Sequence, residues 1–166
     1  MGRGISASLV EILEALHGAV RICSTLALSG EQRTLCPLVL RRGLHALGFR
    51  FRLHRKDLPG RPDMVFPRYR AAVLVHGCFW HGHDCPLFKW PATRREFWQA
   101  KIEGNRARDL RDLTGLAAAG WRVLVVWECA LKGPARMPVD AVLAKVTAWL
   151  DTDKPVRVVQ ARRMSE

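Results

Sequence analysis

No stretch of the chain approaches the roughly 20 consecutive apolar residues that a membrane-spanning helix needs, so a helical membrane protein is not expected. The N-terminus shows no early basic region followed by an apolar run and a cleavage site, and a soluble intracellular protein is the default expectation. The five cysteines (Cys23, Cys36, Cys78, Cys85, Cys129) lack the density of a secreted disulfide scaffold and form an odd set. With histidines among them, metal binding is the better reading. Internal repeats and obvious linkers are absent, and 166 residues suit one domain with a sizeable core. Acidic residues are scarce: 15 Asp and Glu face 27 Lys and Arg, a net charge of +12.

The imbalance is uneven. Residues 1–36 carry Arg3, Arg21 and Arg33 against Glu11, Glu14 and Glu31, so the whole excess, 24 basic against 12 acidic, falls in residues 37–166. Between Arg41 and Lys56 stand six Lys or Arg and no acidic residue. Such a domain is expected to meet a polyanion, because each phosphate it neutralises releases bound counterions. Nucleic acid is the natural partner; a basic but inert surface is the plainer alternative.

Most of the chemically capable side chains lie between Pro59 and Cys85. A turn at Pro59-Gly60-Arg61-Pro62 delivers Asp63 onto a short apolar run, a second turn at Pro67 to Arg70 reverses the chain, and Ala71 to Val75 reads as a buried strand. Side by side, the two strands bring Asp63 close to His76. Then the apolar pattern stops, and His76, Cys78, His81, His83 and Cys85 follow, interleaved with Phe79 and Trp80.

Elsewhere, Leu9, Ile12, Leu13, Leu16 and Val20 predict a helix over Ile5–Leu28, broken at Ser29-Gly30, with a loop over Glu31–Pro37. Leu38–Leu47 is a second expected helix, closed by Gly48. Phe49–His54 alternates apolar with basic residues and predicts a strand. Thr93 and Glu96 fit a capping box opening a helix that carries Phe97, Trp98, Lys101, Asn105, Arg108 and Asp109, with Gly104 as a point of kinking and Gly120 as its end. Trp121–Trp127 has the near-continuous apolar character of a central strand. Val139–Leu150 predicts a last amphipathic helix, and Asp151–Glu166 a poorly ordered basic tail. Strands flanked by helices imply a three-layer α/β domain with a mixed central sheet.

Cys78, His83 and Cys85 offer three soft or borderline ligands within eight positions, and Cys129, just past a strand end, a fourth. A Cys3His set suits a closed, structural zinc site that clips a glycine-containing loop; buried thiols are the alternative for Cys85 and Cys129. Hydrolysis of a phosphodiester needs a positioned water, charge neutralisation and a proton route. Asp63 at a strand end is placed to hold Mg2+, and His76 and His81 to move protons, with Asp109 an acidic partner. Taken singly, Asp63 reads as a turn carboxylate and His81 as a loop histidine; together on a basic domain they favour a nuclease. Phe79 and Trp80, joined by Trp98 or Trp90, are placed to stack on or wedge between bases; core packing is the alternative for Trp98.

Four motifs carry a resemblance. Leu-Pro-Gly-Arg-Pro-Asp at 58–63, His-Gly-Cys-Phe-Trp-His at 76–81, Pro-Ala-Thr-Arg with Glu-Phe-Trp at 91–98, and Gly-Trp-Arg-Val-Leu-Val-Val-Trp-Glu-Cys at 120–129 resemble the very-short-patch-repair DNA mismatch endonucleases, from about Leu38 to Gly133. The resemblance implies a restriction-endonuclease-like fold that nicks the strand 5′ to the thymine of a T:G mismatch left by deamination of 5-methylcytosine. It implies Asp63 as the Mg2+ carboxylate, with the Val75 carbonyl as a second ligand, and His76, His81 and Asp109 completing the catalytic set. Cys78, His83, Cys85 and Cys129 would hold zinc, Phe79, Trp80 and Trp98 would form a wedge, and Lys101 and Asn105 would lie against the mismatched pair. A cytosine-5 DNA methyltransferase and mismatch-repair proteins are the implied functional partners, and a monomer in the bacterial cytoplasm, at the nucleoid when bound to DNA, the implied state.

Residues 1–37 depart from the family, whose basic arm leads into a helix bearing a glutamate. Pro37-Leu38-Val39-Leu40-Arg41-Arg42 lacks that residue and is one position short. The expected organisation is thus an atypical segment at 1–37, replaced or frame-disrupted, an endonuclease domain at 38–150 and a basic tail at 151–166. A DNA-binding relative with weakened catalysis, and a restriction-type nuclease without mismatch dependence, are the alternatives.

Overall fold

The computed structural model describes residues 32–161, and the expected helix at Ile5–Leu28 lies outside them. The elements are α1 (Gln32–Ala46), β1 (Met64–Phe66), β2 (Ala71–His76), α2 (Arg95–Ala118), β3 (Arg122–Trp127), α3 (Val139–Leu150) and β4 (Val156–Val159). The strands form one sheet in the order β1-β2-β3-β4. β1 runs antiparallel to β2, whereas β2, β3 and β4 run parallel to one another, the mixed sheet the sequence implies.

β3 is apolar on both faces because both are covered. Leu124 and Val126 pack with Leu40 and Leu44 of α1 and Val142, Val146 and Trp149 of α3. Val123 and Val125 face the other way, toward Leu116 of α2 and Leu58. α1 and α3 approach closely at Gly43, where an added Cβ would meet Leu143 Cδ1 at 2.5 Å. In register, His76 pairs with Trp127, so the ends of β2 and β3 come out side by side. The loops that follow them meet Asp63, α2 and the residues after β4 at the site. Among the described residues no helix is long and apolar enough to cross a membrane.

Several local expectations give way. The loop foreseen up to Pro37 is helical from Gln32, with Pro37 inside α1. Proline deletes one backbone bond there, but Cys36, Leu40 and Leu44 bury against the core and keep the helix in place. Phe49–His54 is not a strand. It contributes a single bridge, Arg52 to Val65, before His54 turns the chain at φ +46°. Its alternation is real, since Phe49 and Phe51 turn inward onto Phe66 at 6.4 and 5.4 Å. Thr93 does not cap α2; Arg94 at φ +52° precedes the helix, and no side chain caps it. Gly104 leaves α2 continuous over 24 residues. Gly48 and Gly120 close their helices as expected, with φ +87° and +75°. The foreseen tail instead contains β4, the edge strand beside β3.

Candidate active site and metal centre

Met64 lies opposite Val73 across β1 and β2, and Asp63, one residue earlier, reaches the next turn of the ladder. Its Oδ2 accepts the Val75 N–H at 2.8 Å. Its Oδ1 faces the Arg41 guanidinium of α1 at 3.5 Å, and the same Nη2 lies 2.9 Å from His54 Nε2. Burial raises the Asp63 carboxyl from its ordinary value, opposed by the Val75 N–H and then by Arg41 and His54. Arg41 was not singled out from sequence, since it is a helical basic residue 22 positions from its carboxylate.

At the end of β2, His76 is buried and its ring stacks on that of His81, centroids 4.1 Å apart. His81 Nδ1 lies 2.5 Å from Asp109 Oδ2 of α2. One donor atom from each of His76, His81 and Asp109 falls within 4.8 Å of the others. Burial, and then the neighbouring His81, hold His76 down at about 4, against the pull of Asp109. The expected trio is therefore assembled, with Asp63 held just before the neighbouring strand. Glu128, missed as a functional candidate, braces this end of the sheet. It accepts the Cys78 N–H at 3.2 Å and pairs with Lys132 at 3.2 Å. A cleft of about 380 Å³ opens here, lined by Val75, His76, His81 and Glu128 and, from α1, by Cys36 and Pro37.

The four expected zinc ligands also converge. Cys78, His83, Cys85 and Cys129 place their donor atoms within 4.8 Å of one another. His83 Nδ1 stands 3.7 Å from Cys78 Sγ and 3.6 Å from Cys129 Sγ. Tetrahedral zinc, with bonds of about 2.3 Å to sulfur and 2.0 Å to nitrogen, separates such a pair by roughly 3.6 Å, so the donor set fits. A hydrogen bond between the thiols pushes Cys78 up and holds Cys129 down, at about 5. An outer ring orients the ligands. His83 Nε2 meets Gln160 Oε1 at 3.0 Å, and the Ala161 N–H points at Cys129 Sγ at 3.5 Å. The His83 ring stacks on Trp127 at 4.0 Å, while His76 and His81 meet the same indole edge-on. Trp127 thereby separates the two histidine clusters. Neither it nor Gln160 carried a sequence signal for this role.

Phe79, Trp80 and Trp98 come together as one aromatic group, 5.2 to 6.0 Å between ring centroids. Phe88 and exposed Trp90 extend it from Phe79, and exposed Phe97 extends it from Trp98, with Arg94 over Phe97 and Arg95 over Trp90. Lys101 is exposed on α2. Asn105 is engaged within the protein, donating to the Trp80 carbonyl at 2.6 Å.

The fold and site define an α/β protein with a histidine–aspartate cluster and, on the same sheet end, a Cys3His cluster able to hold a metal ion, beside an aromatic platform. The family model for the DNA mismatch endonuclease Vsr matches residues 24–87, beginning upstream of the Leu38 expected from the motifs. The type II nicking enzyme V.XorIIP of Xanthomonas oryzae pv. oryzae is 61% identical over 88 residues, 53% of this chain and 65% of that protein. The DNA mismatch endonuclease Vsr of Escherichia coli is 50% identical over 103 residues, 62% of this chain and 66% of that protein. The type II nicking enzyme V.NmeAIP of Neisseria meningitidis is 42% identical over 105 residues and matched over 75% of its length. The chain belongs to the Vsr DNA mismatch endonuclease family. It spans just under two thirds of the length of the first two relatives.

Proposed function

We propose that the protein is a strand-nicking DNA endonuclease of restriction-endonuclease-like fold, hydrolysing the phosphodiester 5′ to the thymine of a T:G mismatch. The observation that carries the reading is the meeting of His76, His81 and Asp109 beside Asp63, against the aromatic group of Phe79, Trp80 and Trp98. Membership of the family supports the reaction class.

Asp63 and the Val75 carbonyl would hold Mg2+, and the Asp63 carboxylate is engaged on one side by the Val75 N–H and only loosely by Arg41 on the other. When bound, the ion would supply charge neutralisation at the scissile phosphate, and one or two carboxylates with phosphate and water oxygens would suffice to hold it. The Val75 N–H keeps Asp63 in place without charge of its own. Asp109 orients His81 through Nδ1, which leaves Nε2 to exchange a proton with the substrate oxygens or the attacking water. Burial keeps His76 neutral behind it, so no second positive charge faces the His81 ring. Phe79, Trp80 and Trp98 wedge into the base stack, and Lys101 and Asn105 lie against the mismatched pair. Zinc at Cys78, His83, Cys85 and Cys129 fixes the loop that carries His81. Duplex DNA is the partner of the basic domain, which works as a monomer in the cytoplasm; a cytosine-5 methyltransferase and mismatch-repair proteins act around it. The family's absent glutamate is the point on which turnover depends, since Pro37 of α1 lines the cleft where a second acidic group would help.

The test is nicking of a labelled duplex with one T:G pair in a methylation context, beside the matched duplex, with Mg2+ or EDTA. Mg2+-dependent cuts in the mismatched thymine strand that vanish in Asp63→Ala are expected. Equal cutting of matched DNA would make it a restriction-type nuclease, and salt-sensitive binding without any cut a DNA-binding relative.

A further inference from the structure

We infer that Arg106 is a positioning residue that ties the aromatic group to His81, so that engagement of the base stack and alignment of the imidazole become one event. The inference rests on the nuclease reading above. Trp98, Ile102, Asn105, Arg106 and Asp109 recur at helical spacing along α2 and form one stripe. That stripe holds four consecutive loop residues. Trp98 meets the rings of Phe79 and Trp80, and Asn105 donates to the Trp80 carbonyl at 2.6 Å. Arg106 Nε donates to the His81 carbonyl at 3.1 Å and its Nη2 to the Gly82 carbonyl. Asp109 takes the His81 ring at 2.5 Å.

His81 is thus gripped at both ends, its backbone by Arg106 and its ring by Asp109 one turn along the same helix. The approach is tight: Gly82 stands at φ +58°, and a Cβ there would meet Ile102 Cγ2 at 2.6 Å and Arg106 Nη2 at 2.8 Å. A guanidinium fork suits two adjacent carbonyls, whereas an ammonium is a point donor. Displacing the aromatic side chains pulls on Trp80, and the pull reaches His81 through a backbone that α2 clamps at residues 80, 81 and 82. A basic residue on this face also invites the plainer assignment of a phosphate contact, and the two assignments predict different kinetics.

The experiment compares wild type, Arg106→Met and Arg106→Lys in single-turnover nicking of the T:G duplex, with DNA affinity measured in parallel. The 15N signature of the His81 ring is recorded at one fixed pH in the DNA-free protein. Arg106→Met should slow nicking about 30-fold, in keeping with the cost of misplacing a reacting group by an ångström, with Kd changed less than about threefold on the same argument. Arg106→Lys should recover part of the rate, and the His81 signature should change in Arg106→Met. A raised Kd at unchanged rate would make Arg106 a phosphate contact and overturn the inference. So would wild-type nicking by Arg106→Met. If the wild-type protein does not nick, the nuclease reading fails, and the His81 signature alone decides the positioning role: an unchanged signature overturns it.

Discussion

The rings of His76 and His81 lie face to face, 4.1 Å between centroids and 4° from parallel. Two imidazolium cations do not stack at that distance without strong repulsion, and the pair keeps one ring neutral. Burial selects His76, held at about 4, while Asp109 sits on His81. An unfolded histidine titrates at about 6.5, so between pH 6.5 and 4 the unfolded chain binds a proton at position 76 that the folded chain does not. Stability therefore falls as pH drops through that window and levels off below it, by on the order of 3 kcal/mol for this group. Urea unfolding of wild type and His76→Gln at pH 7.0 and 4.5 measures it. The wild type should lose more than the variant, and equal losses would remove His76 as the source.

Asp109→Asn removes a charge from the trio while keeping its shape. Asp109→Asn keeps an oxygen near His81 Nδ1 but lets the amide present the wrong group, and a misoriented imidazole costs a nuclease its proton route. Nicking should slow by roughly 100-fold or more, the scale of lost general acid–base catalysis. Affinity for DNA should hold or rise, because a negative charge leaves the interface. Single-turnover rates with parallel titrations read both numbers, and an undiminished rate would take Asp109 out of the reaction.

Much of this site is legible in the residues because its parts are close in sequence. The turn before Asp63 and the turn at Pro67 to Arg70 fix an antiparallel pair, and that register alone brings the carboxylate to the Val75 amide. Cys78, His83 and Cys85 share one loop, and Cys129 stands just past the strongest strand. What stays hidden is what tertiary pairing decides. Gln160 reaches His83 across 77 positions, and Arg41 reaches Asp63 from another layer. β4 is four residues long and exists by pairing with β3, so composition reads it as tail. At Phe49–His54 the alternation reports correctly which side chains turn inward. It does not report a partner, and three-residue β1 offers room for one bridge.

Arg122 opens β3 and spends its guanidinium on carbonyls. It donates to Tyr69, to Trp149 and Leu150 at the end of α3, and to Thr152, while its face rests 4.8 Å from the centre of the Trp149 ring. The Trp149 and Leu150 carbonyls belong to the last turn of α3, where the helix leaves carbonyls short of donors, and Arg122 shares the Trp149 carbonyl with Thr152. Arg122→Met should cost on the order of 3 kcal/mol, a few charge-assisted bonds offset by the retained apolar stem. For a chain of this size that lowers Tm by roughly 10 °C. Calorimetry tests it, with Arg122→Lys expected between the two; a Tm within a degree or two of wild type would show that solvent replaces the guanidinium.

β4 and the Cys3His cluster are joined by Gln160 and Ala161, which follow the strand directly and touch His83 and Cys129. The metal should therefore latch the last strand of the sheet. Metal analysis is expected to find one zinc per chain, and Gln160→Ala should weaken it roughly tenfold, the usual cost of losing a partner that orients a histidine ligand. Removing the ion with a chelator should expose Val156–Val159, an edge strand whose Val156 and Val158 are already about half exposed. Trypsin cleavage at Arg157 then reports the release directly. Chelation should accelerate it, zinc but not Mg2+ should reverse it, and Asp63→Ala should leave it alone. Cleavage at the same rate with and without chelator would show that β4 is held by its pairing with β3 alone, and that the ion shapes only the loop that carries His81.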